Sequence, residues 1–416
     1  MAEFEIARLG AQGDGIVEGP DGPLFVPYAA PGDRMRLGPV RRDGKRRTAD
    51  IAMLVVPGPD RVQPPCPHFG GCGGCGLQHL APAFLADWKR QRIVDALAQR
   101  GITGIDVEAT ASTPPASRRR LRLAARRLKD RVVLGFNARR SHHIVDVREC
   151  LIAASPLPPL FEPLRMLLSE VLRQGRPTDV QLTACDNGID LWLTDLDDAD
   201  PGIAMRAAEF ADAHDLCRIS AGTPARPVIE RRRPVVGLSG VAVPLPPGGF
   251  LQASREGEGM LVERVRGACA GATRIADLYA GLGTFSFALA GTAQVHAVEG
   301  DGAAVAAMTA ARNAASGLRR IEIERRDLGR RPLAGRELEG FDAAVFDPPR
   351  SGAREQAEAL ARSAIPRMVA VSCEPATFAR DARSLIDGGY HLQSVLPVDQ
   401  FTWSPHVELV AAFTRG

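Results

Sequence analysis

From Phe250 onward the chain alternates short β-rich runs with helical segments, and that rhythm admits few folds. Runs at Arg274–Tyr279, Gln294–Val298, Ala343–Phe346 and Met368–Ser372 are separated by helix-like stretches at 284–291, 301–316, 353–364 and 376–387. Strands and helices alternating at this length build a doubly wound, mostly parallel α/β sheet, because each crossover helix has to cover a sheet face. Residues 250–416 are therefore read as a Rossmann-like domain. At 416 residues the chain exceeds what one core fills, so further domains are expected before it.

Residues 1–57 read as a small β-barrel of the OB type. Gly13-Asp14-Gly15-Ile16-Val17 meets a turn at Gly19-Pro20-Asp21-Gly22, and Leu24-Phe25-Val26-Pro27 follows as a second strand. Arg34, Arg36, Arg41, Arg42, Lys45, Arg46 and Arg47 crowd the next strands, as on the nucleic-acid face of such a barrel or on a solvated hairpin. The Pro-rich stretch 56–65 breaks regular structure and serves as a linker. Residues 58–249 mix helix and strand signals and are read as an α+β domain whose order the sequence does not reveal. Within it, Arg120-Leu121-Arg122-Leu123 alternates charged and apolar residues like a strand with one basic face. Arg126, Arg127, Lys129 and Arg131 continue the run, which either lines an RNA channel or is a solvated sheet face.

Charge is uneven. Residues 1–150 carry 24 Lys+Arg against 16 Asp+Glu, and the remainder 28 against 33, so a net +8 precedes a net −5. That asymmetry points to a polyanionic partner for the N-terminal part. No apolar run approaches the roughly 20 residues that cross a bilayer, and the first residues lack the apolar stretch of a secretory signal. A cytoplasmic, monomeric protein without a membrane partner is expected. In a reducing compartment, clustered cysteines among the eight point to metal binding or catalysis rather than disulfides.

The first strand of the C-terminal domain ends in Asp277-Leu278-Tyr279-Ala280-Gly281-Leu282-Gly283-Thr284-Phe285, a Gly-x-Gly turn that lets backbone approach a ligand. Glu299 ends the second strand 22 residues after Asp277, where a carboxylate can accept from both ribose hydroxyls. Asp327, after the Ile321–Glu324 run, is placed to reach an adenine amino group. There is neither a third glycine nor a Lys-Ser/Thr pair, and this spacing favours S-adenosylmethionine over a dinucleotide or a triphosphate. Asp347-Pro348-Pro349 forms a rigid loop after the fourth strand. Cys373 leaves a buried strand at the same edge, and the helix that follows is expected to lower its thiol pKa. Glu408 on the last strand is the candidate base, with His406 as runner-up.

This ordered set, with Gln252 in Gly249-Phe250-Leu251-Gln252, Ser372–Pro375 and His406-Val407-Glu408, resembles the RNA 5-methyluridine methyltransferase family and within it the 23S rRNA branch. The resemblance implies cofactor contacts from Gln252, Tyr279, Thr284, Glu299, Asp327 and Asp347, with Cys373 as covalent nucleophile and Glu408 as base. It implies methylation of carbon 5 of a uridine in RNA, 23S rRNA before tRNA, and likens residues 1–57 to the TRAM RNA-binding barrel. Ala280 stands where relatives often have cysteine, and Glu374 where they often have asparagine.

Cys66, Cys72 and Cys75, spaced among glycines, have metal-ligand spacing. The resemblance supplies Cys150 as a fourth ligand and a 4Fe-4S cluster as the cofactor. Structural zinc is the competitor from spacing alone, with His68 and His79 as further ligands. Two other functions fit parts of the pattern: an N-methyltransferase using the Asp-Pro-Pro loop, and a non-catalytic RNA-binding protein.

Overall fold

A computed structural model describes residues 3–44, 46–196 and 200–416; Lys45, counted above among the basic residues of the N-terminal strands, lies outside the described residues. The C-terminal region is organised on a nine-stranded sheet. Its centre is parallel, in the order Ile321–Arg325, Gln294–Glu299, Arg274–Leu278, Ala343–Phe346, Arg367–Ser372. Glu408–Arg415 then inserts antiparallel between Arg367–Ser372 and Tyr390–Asp399. The strand order reverses at Arg274–Leu278, the position at which an open α/β sheet leaves a crevice at its carboxyl edge. Central strands such as Ala343–Phe346 are buried along their whole length, as a sheet covered on both faces requires. The helix Arg255–Ala268 leads into the first of these strands, and Thr284–Leu289, Gly302–Ala314, Arg354–Ala361 and Pro375–Asp387 lie between later ones.

The sheet reaches beyond residue 250. Asp106–Val107 and Ala111–Ser112 add parallel to Tyr390–Asp399. The helix Pro82–Ala98 packs on Pro375–Asp387 through Ile93, Ala96 and Leu97, and its buried stripe continues through Lys89 to Leu85, which packs against Leu77 and Leu80. A one-sided apolar stripe at helical spacing explains the docking, and a lysine within it is the exception.

Between these contacts a seven-stranded sheet runs in the order Ile144–Asp146, Val132–Asn137, Arg120–Arg127, Pro177–Cys185, Gly188–Leu193, Leu216–Ala221, Arg226–Glu230. The expected strand after Arg118 is present: Leu121 and Leu123 are buried while Arg122 is exposed and pairs with Asp179 at 2.6 Å. Arg119 turns the other way. It is buried and pairs with Glu258.

The N-terminal strands fall where expected, with Gly15–Val17 antiparallel to Leu24–Val26. They divide into a three-stranded and a five-stranded sheet around a shared core of Ile6, Val17, Leu24, Val26, Met35 and Leu37, so no closed barrel ladder forms among the described residues. Pro39, which has no N–H to donate, lies between Arg34–Leu37 of the first sheet and Arg41–Asp43 of the second. Many arginines expected on an RNA face have internal partners: Arg34 on Glu3, Arg41 on Asp50 and Arg47 on Asp21. Arg46 folds over Phe25 at 4.0 Å and pairs with Asp14, which also holds Arg139 at 2.5 Å. Among the described residues no helix is long and apolar enough to cross a membrane.

Candidate active site

The turn after Arg274–Leu278 departs from ordinary backbone geometry. Tyr279 has φ 62° and Gly283 has φ 94°, and a Cβ on Gly283 would lie 2.7 Å from the Phe287 ring. Only glycine fits there, and the turn delivers Thr284 to the first residue of the following helix. Glu299 braces the turn from the neighbouring strand: its Oε2 accepts the Gly281 N–H at 2.8 Å and its Oε1 the Asp301 N–H at 2.7 Å. Each carboxylate oxygen keeps further acceptor capacity for a ligand hydroxyl. Asp327 is exposed beyond the strand Ile321–Arg325, with Oδ1 on the Gly329 N–H at 3.0 Å. Beneath the turn Asp277 is fully buried, accepts from Ser286 Oγ at 2.5 Å and is pushed up to about 7 by burial.

Gln252 is brought to this edge from the preceding segment. Arg119 holds it there, with its backbone N–H on Ala253 O at 2.9 Å and its Nε on Gln252 O at 3.0 Å. The Gln252 amide donates to Asp347 Oδ2 at 3.1 Å. Gln400, just past Tyr390–Asp399, donates to Gln252 Oε1 at 2.7 Å and to Glu408 Oε2 at 3.1 Å. Glu408 and Asp347 are thereby joined by a hydrogen-bonded chain of two amides. Both carboxyl groups are pushed above the ordinary carboxylate range by burial first; Asp347 then opposes ionisation of Glu408, and Asp277 that of Asp347.

Cys373 lies half-buried at the end of Arg367–Ser372, close enough to both carboxylates to feel them. Its thiol is pushed up to about 11 by burial, then by Glu408 and Asp347, while Arg350 opposes the shift. This corrects the expectation of a thiol lowered by the adjoining helix. Desolvation and two nearby carboxylates outweigh the end of a helix dipole.

A loop from Phe401 to His406 walls the site. Lys89, fully buried, places Nζ 2.5 Å from Asp399 Oδ1 and 3.2 Å from Phe401 O. Arg92 donates to Pro405 O, Leu77 N–H to Trp403 O at 3.0 Å, and Thr113 Oγ1 to Asp399 O at 3.0 Å. Beside this loop lies a cavity of about 320 Å³ lined by Arg118, Arg350, Trp403 and His406 together with Cys66, Cys72, Cys75 and Cys150. His406 is lowered to about 4 by burial and by Arg350, which leaves it neutral near pH 7. It lines the cavity, whereas Glu408 sits in the carboxylate chain.

The four cysteines of the expected cluster thus share one cavity, and all eight cysteines are unpaired. Burial raises Cys72 and Cys150 and pushes Cys75 up to about 12. The side chains are not drawn into a metal-binding group among the described residues. His68 lines the same cavity; His79 lies outside it, fully buried with its ring 5.6 Å from Phe69. Gln400 and Lys89 were not picked out from sequence. Gln400 has no local signature, while Lys89 is detectable as a lysine inside an apolar helical stripe.

Comparison with known proteins places this geometry in context. The profile of the tRNA (uracil-5-)-methyltransferase family matches residues 260–415. An uncharacterised RNA methyltransferase of Rhizobium meliloti is 39% identical over 99% of this chain and 98% of its own length. The 23S rRNA (uracil(1939)-C(5))-methyltransferase RlmD of Chromohalobacter salexigens is 32% identical over 99% of this chain and 89% of its own. Among solved structures, the Pyrococcus abyssi tRNA (uracil-54, C5)-methyltransferase, in complex with S-adenosyl-L-homocysteine, aligns over 99% of both chains with a TM-score of 0.79 and 25% identity. The chain belongs to the RNA uracil-C5 methyltransferase family.

Proposed function

We propose that this protein methylates carbon 5 of a uridine in RNA, with S-adenosylmethionine as methyl donor, Cys373 as nucleophile and Glu408 as base. The observation that carries the reading is the convergence of a thiol, a buried glutamate and Asp347 at one sheet edge, linked through Gln400 and Gln252. Carbon 5 of uracil is too weak a nucleophile to attack a sulfonium methyl unaided. The Cys373 thiol gives up its proton to solvent as its sulfur adds to carbon 6, which forms a C–S bond and shifts the ring's π pair to an enolate, making carbon 5 nucleophilic. S-adenosylmethionine, when bound, supplies the methyl group. Glu408 then takes the hydrogen from carbon 5 as a proton, and β-elimination breaks the C–S bond and frees Cys373. A carboxylate raised by burial suits proton abstraction near neutrality. Tyr279, Thr284, Glu299 and Asp327 are the residues that would hold the donor, together with Gln252 and Asp347.

In this reading the RNA is 23S rRNA, supported by the near full-length similarity to RlmD; a tRNA uridine is the alternative, favoured by the Pyrococcus structure. Family membership leaves no place for the amine-methylating use of the Asp-Pro-Pro loop. The two-sheet unit before residue 57 would hold RNA in the manner of a TRAM barrel. Cys66, Cys72, Cys75 and Cys150 would hold a 4Fe-4S cluster in a structural or RNA-positioning role, and four thiols on one cavity are the donor set that such a group takes. Mapping 5-methyluridine in rRNA and tRNA from a strain lacking the protein tests the assignment. Loss of a 23S rRNA methyl is expected, loss of a tRNA methyl alone supports the alternative, and no loss in either RNA contradicts the reading.

A further inference from the structure

Gln400 is the junction of the active-site hydrogen bonds, and it is 3% exposed. Its Oε1 accepts the Ala253 N–H at 3.0 Å. A backbone N–H can only donate, so the amide orientation is fixed and Nε2 is the end that meets Glu408 and Gln252. Gln252 is oriented in turn: its oxygen accepts from Gln400, and its nitrogen donates to Asp347. The preceding residue, Asp399, is held by Lys89 and Thr113, so Gln400 sits on a braced support.

We propose that Gln400 is the positioning residue for proton abstraction: it occupies Oε2 of Glu408, leaves Oε1 to take the proton from carbon 5, and through Gln252 fixes that base relative to Asp347. This rests on the assignment of Glu408 as base. The groups facing Glu408 are Asp347 and Arg350 in the loop after Ala343–Phe346, Cys373 at the end of Arg367–Ser372, and Gln400 itself. Asp347 opposes ionisation of Glu408, whereas Gln400 and Arg350 favour it. Removing the Gln400 donor therefore moves the titration of the base upward in pH.

The test uses the full-length protein and RNA carrying uridine tritiated at carbon 5. Tritium release and the fraction of denaturation-stable protein–RNA adduct are followed across pH for wild type, Gln400→Leu, Gln400→Glu and Glu408→Gln. Both Gln400 variants are expected to form the adduct and to release tritium roughly ten- to a hundredfold more slowly, the range for losing a hydrogen bond to a charged group. The pH midpoint of release should rise, further for Gln400→Glu because it adds a carboxylate. That variant also preserves side-chain volume and the acceptor for Ala253, so the test survives if the leucine variant folds poorly. An unchanged release rate and midpoint in the Gln400 variants, with Glu408→Gln slow, overturns the inference alone. A parallel fall in adduct formation and release with an unmoved midpoint also overturns it. If Glu408→Gln releases tritium as fast as wild type, the base assignment fails and the inference falls with it.

Discussion

Replacing Lys89 by methionine removes a cation that is fully buried and lies 2.5 Å from Asp399 Oδ1. Methionine fills nearly the same volume, so the cost comes from the carboxylate left behind. Asp399 retains the Phe401 N–H at 3.0 Å on Oδ1 and loses its counter-ion. Breaking a buried pair from one side costs about 3–5 kcal/mol. The adjoining loop stays tethered at Leu77 and Arg92, so the loss should first appear as local opening of residues 400–406 rather than as global unfolding. At about tenfold per 1.4 kcal/mol, amide exchange there should accelerate between about a hundredfold and a few thousandfold. Hydrogen exchange read by mass spectrometry is the assay, with Lys89→Met/Asp399→Leu as the second arm. Removing both charges should restore much of the protection. Unchanged exchange in the single variant, or a double variant as exposed as the single, would refute the reasoning.

Other expectations follow from the same geometry. Glu299→Ala should weaken S-adenosylmethionine by about 1.5–3 kcal/mol, tenfold or more, because a charged acceptor and the brace on Gly281 are lost together; calorimetric titration with an unchanged affinity would contradict this. His406 is depressed from 6.5 to about 4, so the unfolded chain binds the extra proton between those values, and its contribution to stability, full above pH 6.5, is lost as pH falls through 4. His406→Gln should flatten melting temperature against pH across that window, and an unaltered slope would count against the burial of a neutral imidazole. Anaerobically prepared protein should be brown and contain iron and sulfide, and Cys72→Ser or Cys150→Ser should bleach it; a colourless protein with stoichiometric zinc would replace the cluster assignment.

The parts of the fold visible in sequence were those with local periodicity. The runs ending at Leu278, Glu299, Phe346 and Ser372 are strands, and each carries its motif to the carboxyl edge because a parallel strand buried on both faces reads as an uninterrupted apolar run. The central sheet was not legible: five of its six strand pairings are antiparallel, one is parallel, and bulges shift the register within it. Nor was the Gln252–Gln400 contact, which spans 148 positions and leaves no spacing signature. Cys373 shows the limit most directly. Its place after a strand was readable, but its burial and the two carboxylates that raise its thiol further were not, because the strands that flank it in the sheet are remote from it in sequence.

The central claim is tested most directly by incubating the protein and S-adenosylmethionine with target RNA carrying 5-fluorouridine. Fluorine cannot leave carbon 5 as a proton, so the sequence of addition and methyl transfer should stop with RNA still bound through sulfur. A denaturation-stable complex should form, digest to a peptide modified at Cys373, and be absent in Cys373→Ala even though that variant still binds the methyl donor. No stable complex in wild type, or one that persists in Cys373→Ala, would contradict the account.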